Sequence, residues 1–439
     1  MTLMQTSIQR WEPENAAFWA EQGKKVANRN LWISIPALLL SFAVWQLWSV
    51  VAVNLNTIGF AFTTDQLFTL AALPSLVGAT LRIFYSFLVP IVGGRNFTIL
   101  STGTLLIPAI GIGLAVQDTT TSFTTMVVLA ALCGFGGGNF ASSSANISFF
   151  YPKRVKGGAL GMNAGLGNLG VSVVQFLAPV VITMSLFGGL GGDSQTMVKN
   201  GVESVVWMQN AAFVFVVPIV LTMIAAFFGM NNLATAKSSM REQFVVFKRK
   251  HTWIMSFLYT MSFGSFIGYS AAFPLLMKTQ FPEINPLQYA FLGPLVGALI
   301  RPVGGWLSDK LGGAKVTFYD VIAMIAATFG VIYFMNAGSF AGFLTMFMVL
   351  FVTTGIANGS TFRMIPVIFG KNPKEGAAVL GFTSAIGCYG GYFIPKTFGM
   401  SIEATGAPDL ALYAFILYYV ASLIVTWYWY ARKNAEVKC

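Results

Sequence analysis

Apolar residues run along this chain in long blocks, and each block of about 20 residues is enough to cross a bilayer as a helix. The blocks begin near Leu31, Leu67, Phe97, Phe123, Gly157, Val205, Thr252, Gln288, Val316, Ala341, Ala377 and Ala411, which predicts an all-α membrane protein of twelve spans. Polar sequence between the blocks is short except at two places. Residues 11–30, WEPENAAFWAEQGKKVANRN, set Trp11, Phe18 and Trp19 among charges, a pattern that suits a short helix at the headgroup boundary or a partly ordered tail. Residues 230–251 are the longest polar stretch after it and are rich in bases. The predicted organisation is a segment 1–30, a six-helix bundle over 31–229, a linker 230–251, a second six-helix bundle over 252–431 and a tail 432–439.

The two bundles repeat each other. Leu-Val-Gly-Ala-x-x-Arg occurs at Leu76 to Arg82 and again at Leu295 to Arg301, a spacing of 219 residues that also relates Gly93-Gly94 to Gly312-Gly313 and Asn139 to Asn358. Trp32-Ile33 and Ser41-Phe42 in the first span recur at Trp253-Ile254 and Ser262-Phe263 in the seventh. Spans five and eleven share L-G-x-x-x-x-[LI]-G-x-x-G, within GGALGMNAGLGNLG (157–170) and AAVLGFTSAIGCYGG (377–391). Each helical glycine costs about 0.8 to 1.0 kcal/mol relative to alanine in water. Runs this dense therefore point to close helix packing, or to smooth faces on which one bundle slides against the other, with Gly158, Gly161, Gly165, Gly167, Gly170, Gly381, Gly387, Gly390 and Gly391 as the candidates.

Composition agrees with the pattern: 56% of the 439 residues are hydrophobic and 9% charged, against about 25% charged in soluble domains. A net charge of +11 would suggest nucleic acid if the bases formed one patch, but they are spread between the spans. With the N-terminus inside, inner segments hold 20 bases and outer loops three (Lys199, Lys278, Lys396), so both termini are expected in the cytoplasm. The opening residues lack the order of a cleaved signal peptide, and the first span is expected to target the chain. Cys133, Cys388 and Cys439 offer no disulfide framework, and the single His251 leaves no metal cluster or nucleophile triad. Gly134 to Gly138 lacks the ending of a phosphate loop. No enzyme activity, metal or cofactor is expected.

Three bases fall inside spans: Arg82, Arg301 and Arg363. A guanidinium at the centre of a membrane helix costs about 2.5 to 3.5 kcal/mol on insertion scales, so it marks function by default. The carboxylates fall in outer loops or at span ends, with Asp309, Asp320 and Glu375 near the inner surface, so no acid is placed mid-membrane as a proton relay. Two buried cations without a buried anion should attract one from solution. A guanidinium fork suits a planar oxyanion bidentately. Phe140, Phe263 and Tyr259 are candidate walls, the last two lying four apart on one face of span seven.

After Arg301 the segment GWLSDKLGGAK (305–315) resembles the G-x-x-x-D-[RK]-x-G loop of the major facilitator superfamily, while the position matching Asp309 in the first half is Pro90. With the two glycine-rich stretches, CGFGGGNFASSSANISFFYPK (133–153) and FGSFIGYSAAFPLLMKTQFP (263–282), the chain resembles the NarK-type nitrate/nitrite porters over nearly its whole length. The resemblance implies nitrate and nitrite as substrates, one central site, and alternating access by rocking of the halves in a bacterial inner membrane. It also implies anion binding by Arg82 and Arg301, ring stacking by Phe140 and Phe263, and hydrogen bonding by Tyr259 and Asn168. The connection from Gly370 to Glu375 lacks the long polar insertion of some members, and Arg363 adds a third charge expected to tune the pathway without holding substrate. The missing relay points to nitrate/nitrite exchange; nitrate/proton symport, an anion channel and a sensor remain as alternatives. Duplicated halves around one central pair argue against a channel, and no soluble output domain fits within the termini. A monomer without nucleic-acid partners is expected.

Overall fold

A computed structural model describes residues 7–199, 201–236, 245–370 and 373–439; residues 237–244 of the expected linker and 371–372 after span ten lie outside the described residues. Ten described helices are long and apolar enough to cross a membrane. Two further helical segments occupy positions seven and eleven. Span seven runs as Lys250–Tyr259, a π turn Thr260–Gly264 and Ser265–Gln280, and span eleven as Pro373–Cys388 and Gly390–Thr405. Every residue from Met261 to Met277 is buried by protein, so this span has no lipid to satisfy and tolerates Ser262, Ser265 and Tyr269.

The repeat seen in sequence is a repeat of helix crossings. Span two (Thr64–Val92) lies on span four (Phe123–Phe150), where a Cβ at Gly78 would come 3.0 Å from Gly137 Cα. Span eight (Leu292–Leu311) lies on span ten (Phe340–Ile368) in the same way, with Gly355 against the Gly297 carbonyl and Gly359 against the Arg301 carbonyl. Span one (Lys24–Trp45, continued by Trp48–Asn54) meets span five (Lys153–Val181) at Gly170, and span seven meets span eleven where a Cβ at Gly264 would lie 2.8 Å from the Gly387 carbonyl. Small residues are thus used where backbones touch.

Two local features depart from the sequence reading. The N-terminal segment is ordered against the protein and is not a loose tail. Asn15 caps a turn by accepting from Ala17 N and Phe18 N, Trp11 packs on Phe150 at 5.4 Å, and Trp19 packs on Tyr151 at 5.6 Å. Ser7–Ile8 pairs in parallel with Asn232–Leu233 at the start of the linker, and the helix of span one begins at Lys24, upstream of Leu31. Ahead of span six a β-hairpin pairs Gln195–Lys199 with Val202–Val206, so that span's helices start at Asn210 rather than near Val205. The Asn-Gly pair at 200–201 is a hairpin signal, and Gly201 takes φ 76° as such a turn requires.

The bundles meet on the face away from the termini and part toward the face that bears them. On the far face Lys396 Nζ donates to both Asp65 oxygens at 2.8 and 2.5 Å and to Thr69 Oγ1 at 3.0 Å, joining span eleven to span two. Lys396, expected in an outer loop, therefore stands within a helix and faces the other bundle. Gln175 Nε2 donates to the Ser270 carbonyl at 2.8 Å, and Lys278 Nζ donates to the Val53 carbonyl. Phe68 and Phe398 pack at 6.3 Å beside the ion pair. On the terminal side a Cβ at Gly158, Gly161, Gly165 or Gly381 would meet nothing within 4 Å.

If the ion pair holds the far face shut, Asp65→Asn and Lys396→Gln should each expose the interface below it. A half-buried pair is worth about 1 kcal/mol, or roughly fivefold in population. Alkylation of a cysteine placed at Ser75, which is buried against Gly391, by a membrane-impermeant reagent should rise by about that factor. Exchanging the two charges should lower it again. Labelling equal to the unsubstituted pair would show that the apolar contacts alone make the seal.

Candidate functional site

Because Gly78 and Gly137 let spans two and four touch, the Gly137 carbonyl reaches Arg82, whose Nε donates to it at 2.8 Å. Arg82 Nη1 donates to the Ser384 carbonyl of span eleven at 3.3 Å, so the side chain crosses between bundles. Three rings cover the guanidinium: Phe140 at 4.6 Å, and Trp45 and Phe263 at 5.3 Å each. Trp45 is itself fixed by donation of Nε1 to the Pro74 carbonyl at 2.9 Å. The residue is 1% exposed, and its Nη2 has no hydrogen-bond partner among the described residues.

Arg301 is held more loosely. Its Nη2 donates to Tyr259 Oη at 3.4 Å, the Phe362 ring lies 5.2 Å from its Cζ, and its Nη1 has no partner among the described residues; the residue is 9% exposed. Tyr259 and Phe263 stack at 5.5 Å with planes 17° apart, at the π turn of span seven. Contacts therefore run from Arg82 through Phe263 and Tyr259 to Arg301. Five of the six expected binding residues share this cluster. Asn168 is buried in span five with its Oδ1 unpartnered among the described residues, and no contact ties it to the arginines.

Among the described residues neither guanidinium meets a carboxylate. Ring faces offset part of the desolvation, about 2 kcal/mol for a buried cation–π contact, against several kcal/mol per buried ion. Carbonyl oxygens supply more. What is left is a positive, aromatic-lined centre with one unused N–H group from each half, suited to a small planar anion.

The family model of the Major Facilitator Superfamily matches residues 33–395. The chain is 49% identical to the nitrate/nitrite transporter NarU of Escherichia coli (strain K12) over 455 aligned positions, covering 98% of this chain and 97% of that one. It is 41% identical to the probable nitrate/nitrite antiporter NarK2 of Thermus thermophilus, covering 99% and 98%. The chain belongs to the NarK-type branch of the major facilitator superfamily. Among solved structures it resembles a bacterial homolog to the human lysosomal transporter Spinster in an inward-facing and occupied conformation, with a TM-score of 0.68, 15% identity and coverage of 90% and 95%, a likeness of fold alone.

Within this superfamily fold three sequence-based expectations change. Arg363 is not a third charge buried inside the bundle: its side chain is 51% exposed and pairs with Asp309 at the end of span eight. Its position near the end of span ten allows the side chain to reach polar surroundings. Asp320 lies well inside span nine (Gly313–Asn336), 8% exposed, with Oδ2 unpartnered among the described residues, so a buried carboxylate does exist, although it makes no contact with the arginine cluster. The glycine-rich stretches divide: Gly167, Gly170, Gly387, Gly390 and Gly391 are packed against neighbours, whereas their terminal-side members are not. Sequence reasoning missed Trp45, Phe362 and the carbonyls of Gly137 and Ser384. Tryptophan and phenylalanine are too frequent here to stand out, and backbone acceptors leave no trace in residue identity.

A half-exposed pair such as Arg363–Asp309 is worth about 0.2 to 1 kcal/mol. Arg363→Gln should therefore lower the melting temperature only slightly and leave anion binding within about threefold. Complete loss of anion binding in that variant, by calorimetry in detergent, would place Arg363 in contact with the ligand.

Proposed function

We propose that this membrane transporter exchanges nitrate for nitrite across the bacterial inner membrane, by alternating access at a single central anion site. One observation carries the reading: two repeat-related guanidiniums, one per bundle, each with an unpartnered N–H group and aromatic cover. Arg82 and Arg301 bind the anion as forks, Phe140 and Phe263 stack on its plane, and Tyr259 donates to it. Asn168 joins from span five as the bundles close. Full-length similarity to NarU and NarK2 supports the choice of anion.

The distribution of bases supports cytoplasmic termini, and the parted face is then the cytoplasmic one. Residues 31–229 and 252–431 rock as two bodies, and the chain works as a monomer. Closing an empty site would bring both cations together in low dielectric at a cost of several kcal/mol per ion. An anion must therefore be bound before the carrier turns over, which makes it an exchanger. Nitrate and nitrite carry equal charge, so one-for-one exchange moves no net charge. Asp320 is the observation that favours proton symport instead.

Two experiments decide. Nitrite trapped in proteoliposomes should accelerate nitrate uptake strongly, and an imposed pH gradient should change it little. Nitrate accumulation into anion-free vesicles under an inward proton gradient, lost in Asp320→Asn, would establish the symporter. Arg82→Lys and Arg301→Lys should each reduce exchange by more than about tenfold while inserting normally, since a charge-assisted hydrogen bond is worth about 1.5 to 3 kcal/mol. Uptake by either lysine variant at the wild-type rate would refute two-point binding.

A further inference from the structure

Arg82 and Arg301 are related by the repeat, yet their surroundings are not. In span four the ring over Arg82 is Phe140, the residue after Asn139. The equivalent residue after Asn358 in span ten is Gly359, where a Cβ would collide with the Arg301 carbonyl, so no side chain fits. The ring over Arg301 comes instead from Phe362, about one turn further along the helix. Span ten runs toward the terminal face at this point, because the next residue, Arg363, pairs with Asp309 in the last helical turn of span eight, at that face. The aromatic cover of the second arginine is therefore displaced toward the parted side of the molecule.

Phe362 touches both Arg301 and its hydrogen-bond partner Tyr259. Its ring lies 5.2 Å from Arg301 Cζ and 5.8 Å from the Tyr259 ring, with planes 41° apart. It is itself only half-buried, whereas Phe140 and Phe263 are buried. Arg301 has one long hydrogen bond and this ring to orient it; Arg82 has two carbonyls and three rings. Loss of one contact therefore weighs more on Arg301 than on Arg82.

Building on the exchange reading, we propose that Phe362 is a positioning residue that covers the anion site from the cytoplasmic side, orienting Arg301 and Tyr259 through its ring and setting how tightly the inward-facing site holds its anion. Phe362, Arg301 and Tyr259 belong to one bundle, so rocking leaves their contacts intact; what differs between the two sides is that the half-buried ring stands on the cytoplasmic approach to Arg301, so binding from that side depends on it more than binding from the outside.

The test uses full-length protein in oriented vesicles, measuring exchange with nitrite varied on the cytoplasmic side and then on the outer side. Phe362→Ala and Phe362→Leu should raise the cytoplasmic-side KM for nitrite about three- to fivefold, the factor a lost cation–π contact produces, with kcat and the outer-side KM nearly unchanged. Phe362→Tyr should restore the wild-type value. Leucine fills similar space without a ring, so it carries the test if the alanine variant folds poorly. A leucine variant with wild-type KM, or equal changes in KM on both sides, would overturn the inference. Wild-type protein that fails to exchange nitrite would overturn the functional reading itself, a result read before any variant is made.

Discussion

Two guanidinium charges held inside a membrane bundle without a carboxylate partner among the described residues set the terms for the rest of this structure. Arg82 is tolerable there because spans two and four touch at glycine, which brings a carbonyl to its Nε, and because rings from spans one, four and seven close over it. Arg301 is less fully satisfied, with a tyrosine hydroxyl and one ring. The difference suits a fixed half and an adaptable half of one anion site. A buried cation that was fully neutralised by protein would have no need of a ligand.

Much of this was legible in the sequence because it is encoded locally. Span number, the internal repeat and the arginines follow from runs and spacings within single helices, and the superfamily loop around Asp309 is a contiguous motif. Long-range pairings were not legible. Lys396 looked like an outer-loop base because its partner, Asp65, is over three hundred residues away, on a helix of the other bundle. Arg363 looked buried because hydropathy does not say which way a long side chain reaches. The hairpin before span six was announced by Asn-Gly and hidden by the apolar Val205-Val206 that ends its second strand.

The glycine-rich motifs of spans five and eleven show one sequence pattern serving two physical situations. Toward the far face their glycines are filled in by neighbouring spans: substitution would collide with main chain at Gly170 and Gly390, and with the side chains of Leu38 at Gly167 and of Ile267 and Ser75 at Gly391. Toward the terminal face the same pattern continues where a side chain would meet nothing. Packing within this arrangement explains the first set and not the second. Bundles that rock would bring the second set into contact, on faces already free of protruding groups.

The π turn at Thr260–Gly264 has a consequence for how span seven can change over time. A π turn is an α-helix holding one extra residue, and one residue corresponds to about 100° of helical rotation. Deleting a single position between 260 and 264 would restore an ordinary helix and swing everything on one side of it by about that angle relative to the other. Tyr259 lies on one side and Ser265 to Gln280, with the contacts to Gln175 and Val53, on the other. The face that meets Arg301 and the face that seals the far side are thus phased to each other by one inserted residue. A relative one residue shorter in this stretch would have to rebuild either its anion site or its seal.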